Sequence, residues 1–171
     1  MQSLFSGFLN RHLDEINEYL ASFFNDQTDN ADIDAYLYAP LARFSANAGK
    51  RHRPLICMLA CKAVGGDFSA ARSAAAAIEH FQSAALIHDD IADNGRLRRG
   101  KPCMYITEGE GIAINCGDLA LSLVTGAMLR DDSLDDHMRV RLLRELVDMT
   151  TRTIEGQALD LAWARDGRWD L

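Results

Sequence analysis

Two long stretches of this chain carry almost no charge, and they constrain the fold more than any other feature. The first runs from about Ser69 to Ile91 and is dominated by Ala, Leu, Ile and Phe, with few charges until its end. The second runs from Gly111 to Leu129. Both have the length and composition of helices. A helix that is apolar on most of its faces needs burial on most of its faces. The remaining segments have helical periodicity. Leu4 to Phe24 places apolar residues at Leu9, Leu13, Ile16 and Leu20, three and four apart. Residues 26–34 are polar and turn-like, and Asp34 is a candidate cap for a helix carrying Tyr36, Leu37 and Leu41. Gly49 breaks that helix, Pro54 suits the first turn of the next, and Gly65-Gly66 ends it. Gly95 and Gly100-Lys101-Pro102 mark a loop, and a long amphipathic helix follows "DDSLDD". With no convincing strand and no repeat, the expectation is an all-α helical bundle, a single helical domain over residues 1–171.

The chain has 171 residues, 48% of them hydrophobic, so it can build a core. Its net charge of -7 argues against general nucleic-acid or anionic-membrane binding, which want a positive surface. No apolar run is read as a membrane span. The four cysteines, Cys57, Cys61, Cys103 and Cys116, form no C-x-x-C pair. Cys57 and Cys61, four apart in an apolar run, read as two buried small thiols, and a reducing, cytoplasmic setting fits.

Against this background "LIHDDIADNGRLRRGKP", Leu86 to Pro102, sets a cluster of acids directly before a cluster of bases. Asp89, Asp90 and Asp93 fall at the end of the first apolar helix. Asp89 and Asp93 are one turn apart, so their stems are about 6 Å from each other on one face. Two carboxylates so placed repel, and the negative end of the helix dipole adds to the cost. A hard cation such as Mg²⁺, completed by waters and substrate phosphates, would relieve both. The alternative is a solvated acidic helix end bridged to Arg96 or Arg98. "DDSLDD", Asp131 to Asp136, repeats the pattern, but it precedes a helix, where Asp serves as a cap.

The bases have a similar ambiguity. Arg96, Arg98, Arg99 and Lys101 follow the aspartates, and Lys50, Arg51 and Arg53 lie in "GKRHRP" at a helix start, where free N–H groups favour anions. Each cluster alone reads equally well as a surface patch. Together with a carboxylate metal site they imply a diphosphate site. Ala84 and Ala85 leave space one turn before Asp89 and Asp90, and an apolar tunnel ending in such a site suits a prenyl chain.

At these residues the sequence resembles the trans-isoprenyl diphosphate synthases, or polyprenyl synthetases. "AGKRHRP" is close to that family's GGKRxRP, and "LIHDDIADNGRLRRGKP" is similar to its first aspartate-rich motif with the trailing arginine pair. "NCGDLAL" and "EGQALDL" resemble two further segments, so the likeness spans Gly49 to Leu161 in order. It implies an isoprenoid-synthase-type helical bundle and a magnesium-dependent prenyltransferase that joins isopentenyl diphosphate to an allylic diphosphate. Carried over by position, Asp89 and Asp93 ligate magnesium with Asp90 in support, and Arg98 holds the allylic diphosphate. Lys50, Arg53 and Arg99 hold isopentenyl diphosphate. Gln82 stands where many relatives have His, and Gln157 and Asp160 match a helix whose polar residues face the site. The small Ala84 and Ala85 imply a geranylgeranyl or longer product.

Members of that family also carry a second aspartate-rich motif, preceded by a lysine-threonine pair, in a C-terminal half that has no counterpart in these residues. The expectation is therefore the N-terminal half of such a bundle. It would be a piece of a longer chain, one component of a two-chain synthase, or a noncatalytic subunit, and it would act as a homodimer or with a chain supplying the C-terminal half. A class I terpene cyclase shares DDxxD and magnesium but has no need of the "GKRHRP" cluster.

Overall fold

The computed structural model describes residues 4–25, 27–47 and 49–168. They are helical nearly throughout. The chain divides into two compact units, Met1–Ser133 and Leu134–Leu171.

In the first unit the two apolar stretches become α5 (Arg72–Ala92) and α7 (Glu110–Leu129), and these two helices pack on each other more extensively than any other pair. Both helices bury small residues, Ala76, Ala77 and Ala84 of α5 and Ala113, Cys116 and Ala120 of α7 being almost wholly buried. Small side chains let the two helices approach closely. At Gly117 the approach is absolute, because a Cβ there would lie 2.3 Å from His88 Nε2. By length and composition α7 could cross a membrane, with a mean hydropathy of 1.6. That corrects the reading that no run qualifies. Its buried residues instead supply the core of this unit, as an apolar helix does inside a bundle.

Around this pair stand α1 (Leu4–Ser22), α3 (Ala39–Ala46) and α4 (His52–Ala63). Ile16 and Leu20 of the α1 stripe are buried and Leu13 is half-buried, whereas the Leu9 side chain lies outside the described residues. The helix before α3 starts earlier than Asp34. Asn30 is the cap, its Oδ1 accepting from the backbone N–H of Asp32 (3.0 Å) and Ile33 (3.2 Å), and α2 (Ala31–Ile33) follows directly. Asp34 instead opens a five-residue π segment, Asp34–Tyr38. The wider turn lies just ahead of Pro40, which has no N–H to donate and whose ring would crowd the preceding turn of an α-helix.

Helix α4 ends at a Schellman motif, with Gly66 N–H donating to the Cys61 carbonyl and Gly65, at φ +92°, to that of Lys62. A 3₁₀ turn, Phe68–Ala71, leads into α5. After α5 a two-residue hairpin, β1 (Leu97–Arg98) and β2 (Lys101–Pro102), stands where only a loop is expected. A short helix, α6 (Met104–Thr107), then connects to α7. All four cysteines are free. Cys103 and Cys116 are buried, but Cys57 and Cys61 are only half-buried.

The second unit is essentially one helix, α8 (Asp136–Asp166). Asp135 caps it, accepting from Met138 N–H at 2.7 Å, as expected for the second acidic repeat. Of its apolar residues Leu146 is buried, while Val147, Ile154, Leu159 and Trp163 are exposed.

Candidate active site

The end of α5 organises the acids. Its last turn closes in a second Schellman motif, Gly95 N–H donating to the Asp90 carbonyl (2.9 Å) and Asn94 N–H to that of Ile91 (3.2 Å), with Asn94 left-handed at φ +53°. This places Asp93 at the helix cap, one turn beyond Asp89, its N–H donating to the Asp89 carbonyl. Gly95 is needed there, since a Cβ would sit 3.3 Å from Asp90 Oδ1. The three carboxylates have different surroundings. Asp93 is exposed, Asp89 half-buried and Asp90 buried. Burial pushes the Asp89 carboxyl above its usual range. Asp93 and Asp90 add to the rise, while Arg98 opposes it.

Asp90 has a partner within the chain. Arg98 donates to its Oδ1 through Nε (3.0 Å) and through Nη2. That bond raises the Arg98 guanidinium above its usual value. Of the two sequence readings of this cluster, the bridge to Arg98 is present at Asp90. Asp90 Oδ2 is buried with no hydrogen-bond partner among the described residues. On the facing helix Asp118 lies 3.5 Å from His88 Nε2.

The hairpin separates the two arginines. Arg99 (φ +54°) and Gly100 (φ +79°) are the central residues of a two-residue turn with both φ positive, the geometry that matches strand twist. Arg98 turns to Asp90. Arg99 lies on the other side, donating from Nη1 to the Asn47 carbonyl at 3.1 Å, against Gly49. The same hairpin thus links the acidic helix end to the loop that carries "GKRHRP".

At that loop a cavity of about 260 Å³ is lined by Lys50, Arg53, Gln82 and Arg99, with Gly49, Arg51, His52 and Glu79 also in its wall. Burial lowers the Arg99 guanidinium, and Arg51, Arg98 and Arg53 push the same way against Glu79. Arg51, grouped with Lys50 and Arg53 by sequence, is different. It is 6% exposed and bonded to Asn17, Glu79 and the Ser45 carbonyl. Sequence reasoning missed Glu79 and His52. Glu79 had left a signal, as the one acidic residue inside the apolar stretch before Asp89.

Other expected site residues fall elsewhere. Ala84 is wholly enclosed in the packing of the first unit. Ala85, half-buried, lies one turn before Asp89 on the same face. Gln157, half-buried, and Asp160, exposed, lie three apart on α8 in the second unit.

Among the described residues no three metal-ligating side chains converge. The Asp89–Asp93 pair nevertheless suits a magnesium ion. It is an oxygen-only pair one turn apart, its negative charge not fully compensated, and magnesium takes one or two carboxylates and completes its shell with water and phosphate.

The polyprenyl synthetase family matches residues 34–170, so this chain belongs to that family. It is 41% identical over 115 residues to a short chain isoprenyl diphosphate synthase of Methanothermobacter thermautotrophicus, covering 67% of this chain and 35% of that protein. It is 40% identical over 146 residues to geranylgeranyl pyrophosphate synthase 9, chloroplastic, of Arabidopsis thaliana, covering 78% and 41%. A heterodimeric geranylgeranyl pyrophosphate synthase large subunit of the same plant is 41% identical over 133 residues, covering 75% of this chain and 34% of the subunit. The crystal structure of geranylgeranyl pyrophosphate synthetase from Pyrococcus horikoshii superposes with a TM-score of 0.84 at 30% identity, over 94% of this chain and 48% of that one. The chain thus spans about a third to a half of the length of these relatives.

Proposed function

We propose that these residues form one half of a prenyl-elongating site, which joins isopentenyl diphosphate to an allylic diphosphate. The observation that carries the reading is the cavity at Lys50, Arg53, Gln82 and Arg99. These residues come from three separate segments and meet around a space of about 260 Å³, enough for a small diphosphate. A surface patch has no reason to collect a half-buried glutamine and three cations from three segments. A terpene cyclase has no second diphosphate to hold, which favours the elongating enzyme.

Lys50, Arg53 and Arg99 bind the diphosphate of isopentenyl diphosphate, and Gln82 donates an amide hydrogen to it. Asp89 and Asp93 hold magnesium. Once bound, the metal stabilises charge on the departing allylic diphosphate. Arg98, fixed by Asp90, presents its remaining donors to that same group. Ala85 leaves room for the growing chain one turn from Asp89, which supports a product of geranylgeranyl length or longer. The facing half of the site, with a second aspartate-rich motif, comes from the rest of a longer chain or from a partner chain, and dimerisation would cover the exposed apolar faces.

Incubation with isopentenyl diphosphate, an allylic diphosphate and magnesium, with and without a C-terminal half supplied in trans, tests the proposal. Elongated product in either condition is expected, and none in both overturns it. Arg53→Ala should weaken isopentenyl diphosphate binding by about 2–3 kcal/mol, the loss of a charged hydrogen bond, measured by titration calorimetry.

A further inference from the structure

Arg51 and Glu79 stand out because they bear charge at the proposed diphosphate cavity without being free to use it. Arg51 has a positive φ of 49° and precedes the first residue of α4, accepting from Leu55 N–H through its carbonyl. A side chain other than glycine is rarely found in that backbone region, and something must hold it there. Three elements do. Arg51 Nε donates to Asn17 Oδ1 of α1 at 2.9 Å, Nη1 to Glu79 Oε1 of α5 at 2.7 Å, and Nη2 to the Ser45 carbonyl of α3 at 2.7 Å. The side chains of the ion pair are 4% and 7% exposed. Lys50 and Arg53, directly before and two residues after it, line the cavity whose wall also includes Arg51 and Glu79.

We infer that Arg51 is a positioning residue. It locks the backbone that aims Lys50 and Arg53, and by pairing with Glu79 it keeps a carboxylate in the cavity wall from competing with a diphosphate for Arg99. The second role follows from charge. Glu79 acts electrostatically on Arg99. Without Arg51 its carboxylate would be a buried, unpaired anion, and the cations of the cavity would be its nearest remaining partners. The pair thus leaves three cations facing the ligand where four cations and an anion are present. The inference rests on the diphosphate reading of the cavity and adds residues that touch no ligand.

Inorganic pyrophosphate binding, followed calorimetrically at two salt concentrations, tests it. Arg51→Met should weaken binding about tenfold or more, the scale of one charged hydrogen bond diverted from the ligand. Arg51→Met with Glu79→Gln should recover the part of that loss that comes from the competing carboxylate, while the part that comes from the freed backbone at Lys50 and Arg53 remains. Wild-type affinity in Arg51→Met, or no recovery in the double variant, overturns the inference. If Arg51→Met does not fold, Glu79→Gln alone decides. Tighter binding is expected, since one negative charge leaves the wall, and equal or weaker binding refutes it. Arg53→Ala separates the two levels. If it binds like the wild type, or the wild type does not bind, the diphosphate reading itself falls. If Arg53→Ala is weak and Arg51→Met is not, only the role of Arg51 falls.

Discussion

Residues 89–93 and 131–135 spell the same arrangement of acids, and the molecule treats them in opposite ways. The first copy ends α5, where the helix dipole is negative and the carboxylates crowd one another, and Asp89 is pushed up by burial and by Asp93. In the second, Asp131 accepts from Ser133 N–H (3.0 Å) and Oγ. Burial alone would raise Asp131, but hydrogen bonds from Ser133 and the charge of Arg72 outweigh it, and the net direction is down. Asp135 caps α8. One copy stores unfavourable charge that a cation would relieve, and the other has spent its charge on local structure. The end of the helix at which the acids stand decides which.

The largest test of this contrast is functional. With the C-terminal half supplied, Asp89→Ala should lower magnesium-dependent prenyl transfer about a hundred- to a thousandfold, whereas Asp131→Ala should leave it within about twofold. A comparable fall in both would erase the distinction. Next is acid stability, which bounds any carboxylate titration. His80 is buried between Phe23 and Phe24, its pKa lowered to about 4 by burial first and then by Arg51 and Arg130. Between that value and the ordinary 6.5 the unfolded chain binds the extra proton. Stability should therefore fall by up to about 3 kcal/mol as pH drops through this window, and His80→Phe should flatten the fall in denaturant titrations. Asp135→Ala should cost about 1 kcal/mol, read as lost helix content of α8 on heating. The smallest effect has the opposite sign. Asp93→Asn should stabilise the metal-free chain by about 0.2–0.5 kcal/mol by relieving repulsion on Asp89, and magnesium should remove that advantage. The directions are consistent. A raised Asp89 contributes stability below the usual carboxylate range that is lost as pH climbs through its own value. A depressed Asp131 contributes stability above that range, lost as pH falls through its own. Carboxyl chemical shifts against pH distinguish the two.

The helices were legible because their signals are local. The apolar lengths of α5 and α7, the Gly65-Gly66 stop and the Asp135 cap each depend on a few adjacent residues. The start at Asn30 was missed because Asp34 looked equally able to cap, and only the π turn ahead of Pro40 shows the helix already running. The hairpin was missed because two-residue strands have no periodicity to read. Within the site, Lys50, Arg53, Gln82 and Arg99 could be picked out one by one. That Arg51, in the same cavity wall as its neighbours, is bonded to Asn17, Ser45 and Glu79 could not, because those partners lie on other elements. The pairing of Arg98 with Asp90 likewise depends on how the turn at Arg99-Gly100 aims the strand.

That turn has a consequence for engineering. Arg99 sits where Asn, Asp or Gly would hold the backbone at less strain. A variant library screened for heat resistance alone should drift toward those residues at position 99, gaining a firmer hairpin while giving up one of the cavity's cations. A screen that also demanded diphosphate binding should keep the arginine. Position 99 is thus a place where selection for durability and selection for binding pull the same residue in opposite directions.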